Sequence, residues 1–130
     1  MNEIMKTMAA SASGMSAQAA RLRLASENIA NADTPGYRRK TVSFEETFQR
    51  TGDARAVATG PVRLDQAEFE RVFDPTHPLA GPEGYYDGSN VDLIVEIADA
   101  REANRSYEAN LRMFDQARQM ASALLDLLRR

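Results

Sequence analysis

Cysteine is absent from the 130 residues, and histidine occurs once, at His77. Without cysteine the chain has no disulfide, no thiol nucleophile and no thiolate metal ligand. A single imidazole without a cluster of carboxylates argues against a transition-metal site. We therefore expect neither a metal nor a cofactor.

Long apolar runs and excess positive charge are also missing. The sequence holds no stretch of about 20 apolar residues, the length that a membrane-spanning helix needs. The first twenty residues lack the charged-then-apolar plan of a cleaved signal peptide. With 16 basic and 19 acidic residues, the net charge is −3, whereas a general nucleic-acid binder carries a positive field. We expect no direct membrane insertion and no nucleic-acid partner.

Glycine and proline are scarce at both ends of the chain. Six of the seven glycines and four of the five prolines lie between Gly36 and Gly88. Residues 89–130 contain neither, and residues 1–34 contain only Gly14. Because glycine and proline interrupt helices, this distribution predicts two terminal helices on either side of an irregular middle segment.

The N-terminal segment carries an apolar stripe at heptad spacing. Its main members are Met8, Met15, Leu22 and Ile29. Residues 7–20 contain no charge, although a helix with one face in water normally carries charge there. We predict that this helix is buried mainly against other chains.

The C-terminal segment shows a second stripe, interrupted by Asn104 and Arg118. Ser89 and Asp92 have the spacing of a capping box at its start. About 38 helical residues would span roughly 57 Å, too long for a compact domain of this size. The predicted contact residues of this stripe are Ile97, Tyr107, Leu111, Phe114, Leu125 and Leu128.

The middle segment has the composition of short strands and turns. Residues 42–48 and 68–73 combine aromatic and charged residues, which favours strands. A hairpin is predicted around Thr59, Gly60 and Pro61, with Pro61 restricting it to a sheet edge. Residues 74–88 are predicted to be a surface loop.

An abrupt turn follows the first helix, in the string ENIANADTPGYRRK. Pro35 cannot continue a helix, and Pro35 with Gly36 suits a type II turn. Asn28 and Asn31 are placed to satisfy backbone groups that the helix end leaves free. We interpret this segment as a fixed elbow, and the basic residues 38–40 after it as contacts to water or to an acidic partner.

With its continuation TVSFEETF, this string resembles the N-terminal signature of bacterial flagellar rod, hook and hook-associated axial proteins. Residues 74–120, from DPTHPLAG to FDQARQM, resemble the C-terminal half of one of the two small proximal-rod proteins. The compact elbow is also similar to the other small proximal-rod protein, whereas REANRSYEAN favours the first. The resemblance singles out four elbow residues, Asn28, Asn31, Gly36 and Tyr37, and Pro35 joins them in the predicted elbow motif through its turn chemistry.

The resemblance implies a structural subunit of the flagellar basal body. Such subunits leave the cell through the flagellar type III export apparatus without signal cleavage. They polymerise in the periplasm with other rod subunits into a helical drive shaft that transmits torque for motility. The terminal helices of these proteins form an inner coiled coil.

Two other classes of function compete with this interpretation. An enzyme would have to use His77, which lies between two prolines with only Asp74 nearby and no nucleophile at an interpretable spacing. We therefore expect no catalysis. A free-standing coiled-coil adaptor remains an alternative, since heptads alone do not distinguish a closed oligomer from an open polymer.

The predicted fold is mainly α, with long N- and C-terminal helices forming a coiled-coil layer and a small irregular β-containing middle segment. Its predicted units are residues 1–34, 35–88 and 89–130. We also expect the isolated chain to be partly disordered at both ends, because its helices would become ordered on burial by neighbours.

Overall fold

A computed structural model describes residues 2–48 and 55–130. Within these residues the chain forms two long helices, α1 (Asn2–Ala30) and α2 (Leu93–Leu128), and six short strands between them. This arrangement confirms the predicted mainly helical fold with a β-containing middle. The strands are β1 (Lys40–Thr41), β2 (Phe44–Phe48), β3 (Arg55–Thr59), β4 (Arg63–Leu64), β5 (Arg71–Phe73) and β6 (Tyr85–Asp87).

The two helices pack against each other as an antiparallel hairpin. Arg21, late in α1, contacts Asp99 early in α2. Ile4, in the first turn of α1, lies beside Met113 and Met120 near the end of α2. The 36 residues of α2 span about 54 Å. The predicted coiled-coil layer between chains stays a prediction, since the structure contains a single chain.

The start of α2 corrects one detail of the prediction. Asp92 is the N-cap residue, and its side chain accepts a hydrogen bond from the Ile94 amide at 3.0 Å. The predicted capping box at Ser89 is therefore wrong. Ser89 is buried, and its hydroxyl donates to the carbonyl of Ala32, so it joins the elbow to the chain that enters α2.

The six strands form three separate antiparallel pairs, β1 with β4, β2 with β3, and β5 with β6. The predicted hairpin around residues 59–61 is wrong, because β3 and β4 each pair with an earlier strand instead. The Gly60 amide donates to the Ser43 carbonyl at 2.8 Å, which extends the β2–β3 ladder past the predicted turn. Pro61, without an amide hydrogen, follows where that ladder ends.

The segment predicted as a loop, residues 74–88, contains a strand. β6 pairs with β5 in the register Val72 to Tyr86, and the Phe73 ring lies 5.0 Å from the Tyr85 ring. Gly84 allows this turn, with a φ of +88° and no room for a side chain against Phe73. Strands of three residues are too short to be recognised from the alternation of apolar and polar residues, so the sequence did not predict β6.

The hydrophobic core of the described chain is small. Its buried apolar side chains are Leu24 and five alanines, whereas twenty large apolar side chains are exposed. The accessible surface is 9317 Å², compared with about 6,800 Å² expected for a compact monomer of this mass. The chain therefore leaves uncovered much of the apolar surface that a self-contained domain would bury.

Candidate assembly surfaces and the elbow

The elbow has the predicted turn. Gly36 has a φ of +74°, as the third position of a type II turn requires, and the Tyr37 amide donates to the Thr34 carbonyl at 3.2 Å. The Gly36 amide donates to the Gly88 carbonyl at 3.0 Å. The turn is therefore bonded to the segment that leads into α2.

Asn28 fastens the end of α1 to the chain beyond the turn. Only 1% of its surface is exposed. Its amide group donates to the Lys40 carbonyl at 2.9 Å, and its carbonyl oxygen accepts from the Lys40 amide at 3.0 Å and from the Tyr37 hydroxyl at 2.8 Å. Burial, followed by the charge of Glu27, raises the pKa of Tyr37. Tyr37 is therefore held as a neutral donor.

Asn31 completes the elbow locally. Its side-chain amide donates to the Glu27 carbonyl at 2.9 Å, one turn back in α1, as the sequence predicted for a helix end. Pro35 is exposed at the corner of the turn. All five predicted elbow residues thus lie in or beside one turn.

Arg39 links the elbow to the first turns of α2. Its guanidinium donates to the carboxylate of Glu96, which is 1% exposed, and to that of Asp99 at 2.8 Å, with Asp65 at 3.8 Å. Burial acts to lower the pKa of Arg39, but the hydrogen bond to Glu96 and the three carboxylate charges outweigh it, and the pKa is raised. For Arg39, the predicted contact with water or an acidic partner is a contact with carboxylates of the same chain.

Asn90 is a positioning residue that sequence reasoning missed. Its side-chain oxygen accepts from the Arg39 amide at 2.6 Å, and its nitrogen donates to the carbonyls of Asp65 and Ala67. It therefore ties the elbow and the middle segment to the start of α2. Asn90 belongs to no periodic sequence pattern, so the sequence alone did not predict its role.

The contact between α1 and α2 uses small and polar residues, which we call the inner seam. On α2, Ala103 and Ala117 are buried against α1. An added side chain at Gly14 would come within 2.9 Å of the Asn110 amide group, so the two helices approach closely there.

Four predicted contact residues lie together on another side of the hairpin, which we call the outer face. Leu22, Ile29 and Ile97 line a cavity of about 310 Å³, and Leu22 and Tyr107 line a neighbouring one of about 520 Å³. Ile97 is 46% exposed and Tyr107 37% exposed. Two stripes predicted separately in two helices thus form one apolar surface, open to solvent.

The other six predicted contact residues are distributed along the hairpin. Met8, Met15 and Phe114 are half-buried. Leu111 is 41% exposed, one turn beyond Tyr107, whereas Leu125 and Leu128 are 49% and 79% exposed near the end of α2. Their contacts with other chains stay predictions.

A membrane span and a metal site each require particular features of the described residues. Neither described helix has the length and apolar composition needed to cross a membrane. Residues 2–48 and 55–130 hold no group of three or more histidine, aspartate or glutamate side chains arranged to bind a metal ion.

Comparison with known proteins places both ends of the chain in one class. Residues 8–38 match the family described as "Flagella basal body rod protein". Residues 83–127 match the family described as "Flagellar basal body rod FlgEFG protein C-terminal". These two matches include the whole elbow turn and nearly all of α2.

Whole-length relatives sharpen this result. The chain is 42% identical to flagellar basal-body rod protein FlgC of Agrobacterium fabrum, with 90% of this chain and 89% of the relative aligned. It is 34% identical to FlgC of Bacillus subtilis (90% and 93% aligned) and to FlgC of Escherichia coli O6:H1 (88% and 90% aligned). The chain belongs to the FlgC family of flagellar basal-body rod proteins. This confirms the prediction from the C-terminal half, and the FlgB family, the alternative suggested by the compact elbow, is not favoured.

Proposed function

We propose that this chain is a structural subunit of the proximal rod of the flagellar basal body, and that its outer face packs against the helices of other rod subunits. Membership of the FlgC family supports the first part. The observation that supports the second is the exposure of Ile97 and Tyr107 beside Leu22 in one apolar surface. An uncovered surface of this kind marks a protein contact.

The proposed mechanism is mechanical and needs no catalytic group. Interdigitated side chains at native packing density resist sliding, so helices packed across subunits can transmit torque along the shaft. The proposed location is the periplasmic rod, reached through the flagellar type III export apparatus without signal cleavage. The small core of the isolated chain supports such a route, because few buried contacts oppose unfolding before export.

The test is replacement of Ile97 by aspartate in flagellated cells that lack their own copy of this protein. We expect loss of swimming and absence of completed rods, because a carboxylate would be desolvated in the subunit contact. Leu111→Asp should act in the same direction. Since both side chains are more than 40% exposed, the purified variants should keep their helical content.

The matched control is Ala109→Asp, which introduces the same charge at an exposed position of α2 outside the predicted contact stripe. It should swim normally. Normal swimming by Ile97→Asp would contradict the assignment of the outer face. Failure of the unaltered chain to restore swimming, together with a finite oligomer in solution, would instead favour the coiled-coil adaptor.

A further inference from the structure

The two helices of the hairpin are level at the elbow but not at the opposite end. The 29 residues of α1 end beside the start of α2, so the seven additional residues of α2 extend about 10 Å past the first turn of α1. Glu3 and Ile4 already lie beside Met113 and Met120. We call residues 122–128 of α2 the C-terminal overhang.

The overhang continues the stripe that α1 covers elsewhere. Counting by sevens from Glu96, the stripe passes through Ala103, Asn110 and Ala117 to Leu124. Glu96, Ala103 and Ala117 are at most 5% exposed, and Asn110 is half-buried, but Leu124 is 38% exposed. The surface that contacts α1 along the hairpin thus goes on beyond Asn2, the first described residue of α1, and no described helix covers it there.

Leucines make this uncovered part far more apolar than the inner seam. Leu125, Leu127 and Leu128 are 49%, 62% and 79% exposed. Covering these leucine side chains would remove apolar surface from water, which favours association. The overhang is therefore a strong contact surface, and its continuity with the α1–α2 contact specifies the kind of occupant, a helix in the position that α1 would have taken.

We propose that the overhang packs on the uncharged half of α1 in a second copy of this chain. Within its own chain the stripe packs on small α1 residues, and α1 carries further small residues, Ala9, Ala12 and Ser16, that are exposed. Residues 7–20 contain no charge, so Arg129 and Arg130 beside the overhang meet no like charge there. This inference rests on the proposed function, since it names one subunit contact within the rod.

The outer face is a poorer site for the overhang. Its cavities are lined by Arg23 and Arg101, which would stand close to the cationic end of α2. Like charges that face each other in a contact repel, so they disfavour docking of the overhang on the outer face. Because the overhang and the uncharged half of α1 are different patches, their contact is heterologous and repeats without closing on itself at a two-fold axis.

The absence of cysteine allows a direct test by disulfide formation in isolated basal bodies. The full chain would carry Ala12→Cys together with Leu127→Cys. Within one chain these positions are separated by about 20 Å along the hairpin, since Gly14 lies beside Asn110. A disulfide needs α-carbons within about 7 Å, so the two cysteines can react only between chains.

We expect mild oxidation to produce a ladder of covalently joined copies of this chain. Each single-cysteine variant should lose the ladder, and so should the control pair Ala109→Cys with Leu127→Cys. Dimers from Leu127→Cys alone would overturn the proposal, because they would show two overhangs facing each other. A chain that enters basal bodies without forming a ladder would also overturn it, whereas a chain that never enters them would contradict the proposed function itself.

Discussion

The two ends of the helical hairpin differ in how far their side chains are paired and buried within the chain. At the elbow end, buried polar groups are paired within the chain, with Asn28 and Glu96 each 1% exposed. At the opposite end, Leu127 and Leu128 are more than 60% exposed. Polar groups require defined partners at defined angles, whereas apolar surface accepts any complementary surface. The elbow end therefore has its geometry fixed within the chain, whereas the opposite end leaves apolar side chains uncovered.

This difference suits the proposed rod subunit, which needs a fixed turn at one end and surfaces for other subunits elsewhere. The hydrogen bonds of the elbow determine where the middle segment lies relative to the helices. In the proposed subunit contacts, the exposed leucines and the outer face would supply the free energy of association, because covering them removes apolar surface from water. A chain that uses polar groups to fix its elbow and leaves its large apolar side chains exposed has only a small hydrophobic core.

The largest expected effect on stability comes from Arg39→Ala. Removal of the guanidinium leaves the Glu96 carboxylate buried without its cation, which costs about 3 kcal/mol of unfolding free energy. Urea unfolding of the purified chain measures this loss. Amide hydrogen exchange should also accelerate around residues 28–40 and 89–99 more than in residues 2–10, because the substitution acts at the elbow end.

Arg101→Ala is the control for Arg39→Ala, since Arg101 is an exposed cation on the same helix as Glu96. It should change the unfolding free energy by less than about 0.5 kcal/mol. Equal losses in the two variants would mean that the elbow end is no more fixed than the rest of the hairpin.

A smaller effect should appear at high pH through Tyr37. Because burial raises the pKa of Tyr37 above its unfolded value, its contribution to stability is complete below about pH 10 and is lost as the pH rises through the folded-state value. The phenolate can no longer donate to Asn28. Urea midpoints at pH 9 and pH 11 should differ more in the unaltered chain than in Tyr37→Phe, and equal differences would refute this role.

The smallest effect concerns the inner seam at Gly14. Glycine to alanine in a helix ordinarily gains about 1 kcal/mol, but here the added carbon would meet the Asn110 amide group at 2.9 Å. We expect the two effects nearly to cancel in Gly14→Ala. In an Asn110→Ala background the gain of about 1 kcal/mol should return, and a cycle of thermal unfolding measurements gives the coupling. Additive effects would show that the helices do not approach closely there.

The elements that sequence reasoning predicted well are those with local causes. The type II turn at Pro35 and Gly36 follows from the conformations these residues allow, and both helices follow from heptad periodicity. The capping residue of α2 and the pairing of the short strands were predicted wrongly. Strand partners depend on which backbone is nearby, and two or three residues are too few to show a period of two.

The amino-acid order alone determined that two apolar stripes would run along two terminal helices joined through an elbow, because periodicity and turn chemistry act within a few residues. It did not determine which side of each helix would face the other. Only the tertiary structure showed that the small residues form the inner seam. The two helices approach closely at Gly14, Ala103 and Ala117, where larger side chains would not fit. Leu22, Ile97 and Tyr107 therefore lie on the outer face. Tertiary structure also brought Arg39 to Glu96, 57 residues away, a pairing that no local pattern encodes.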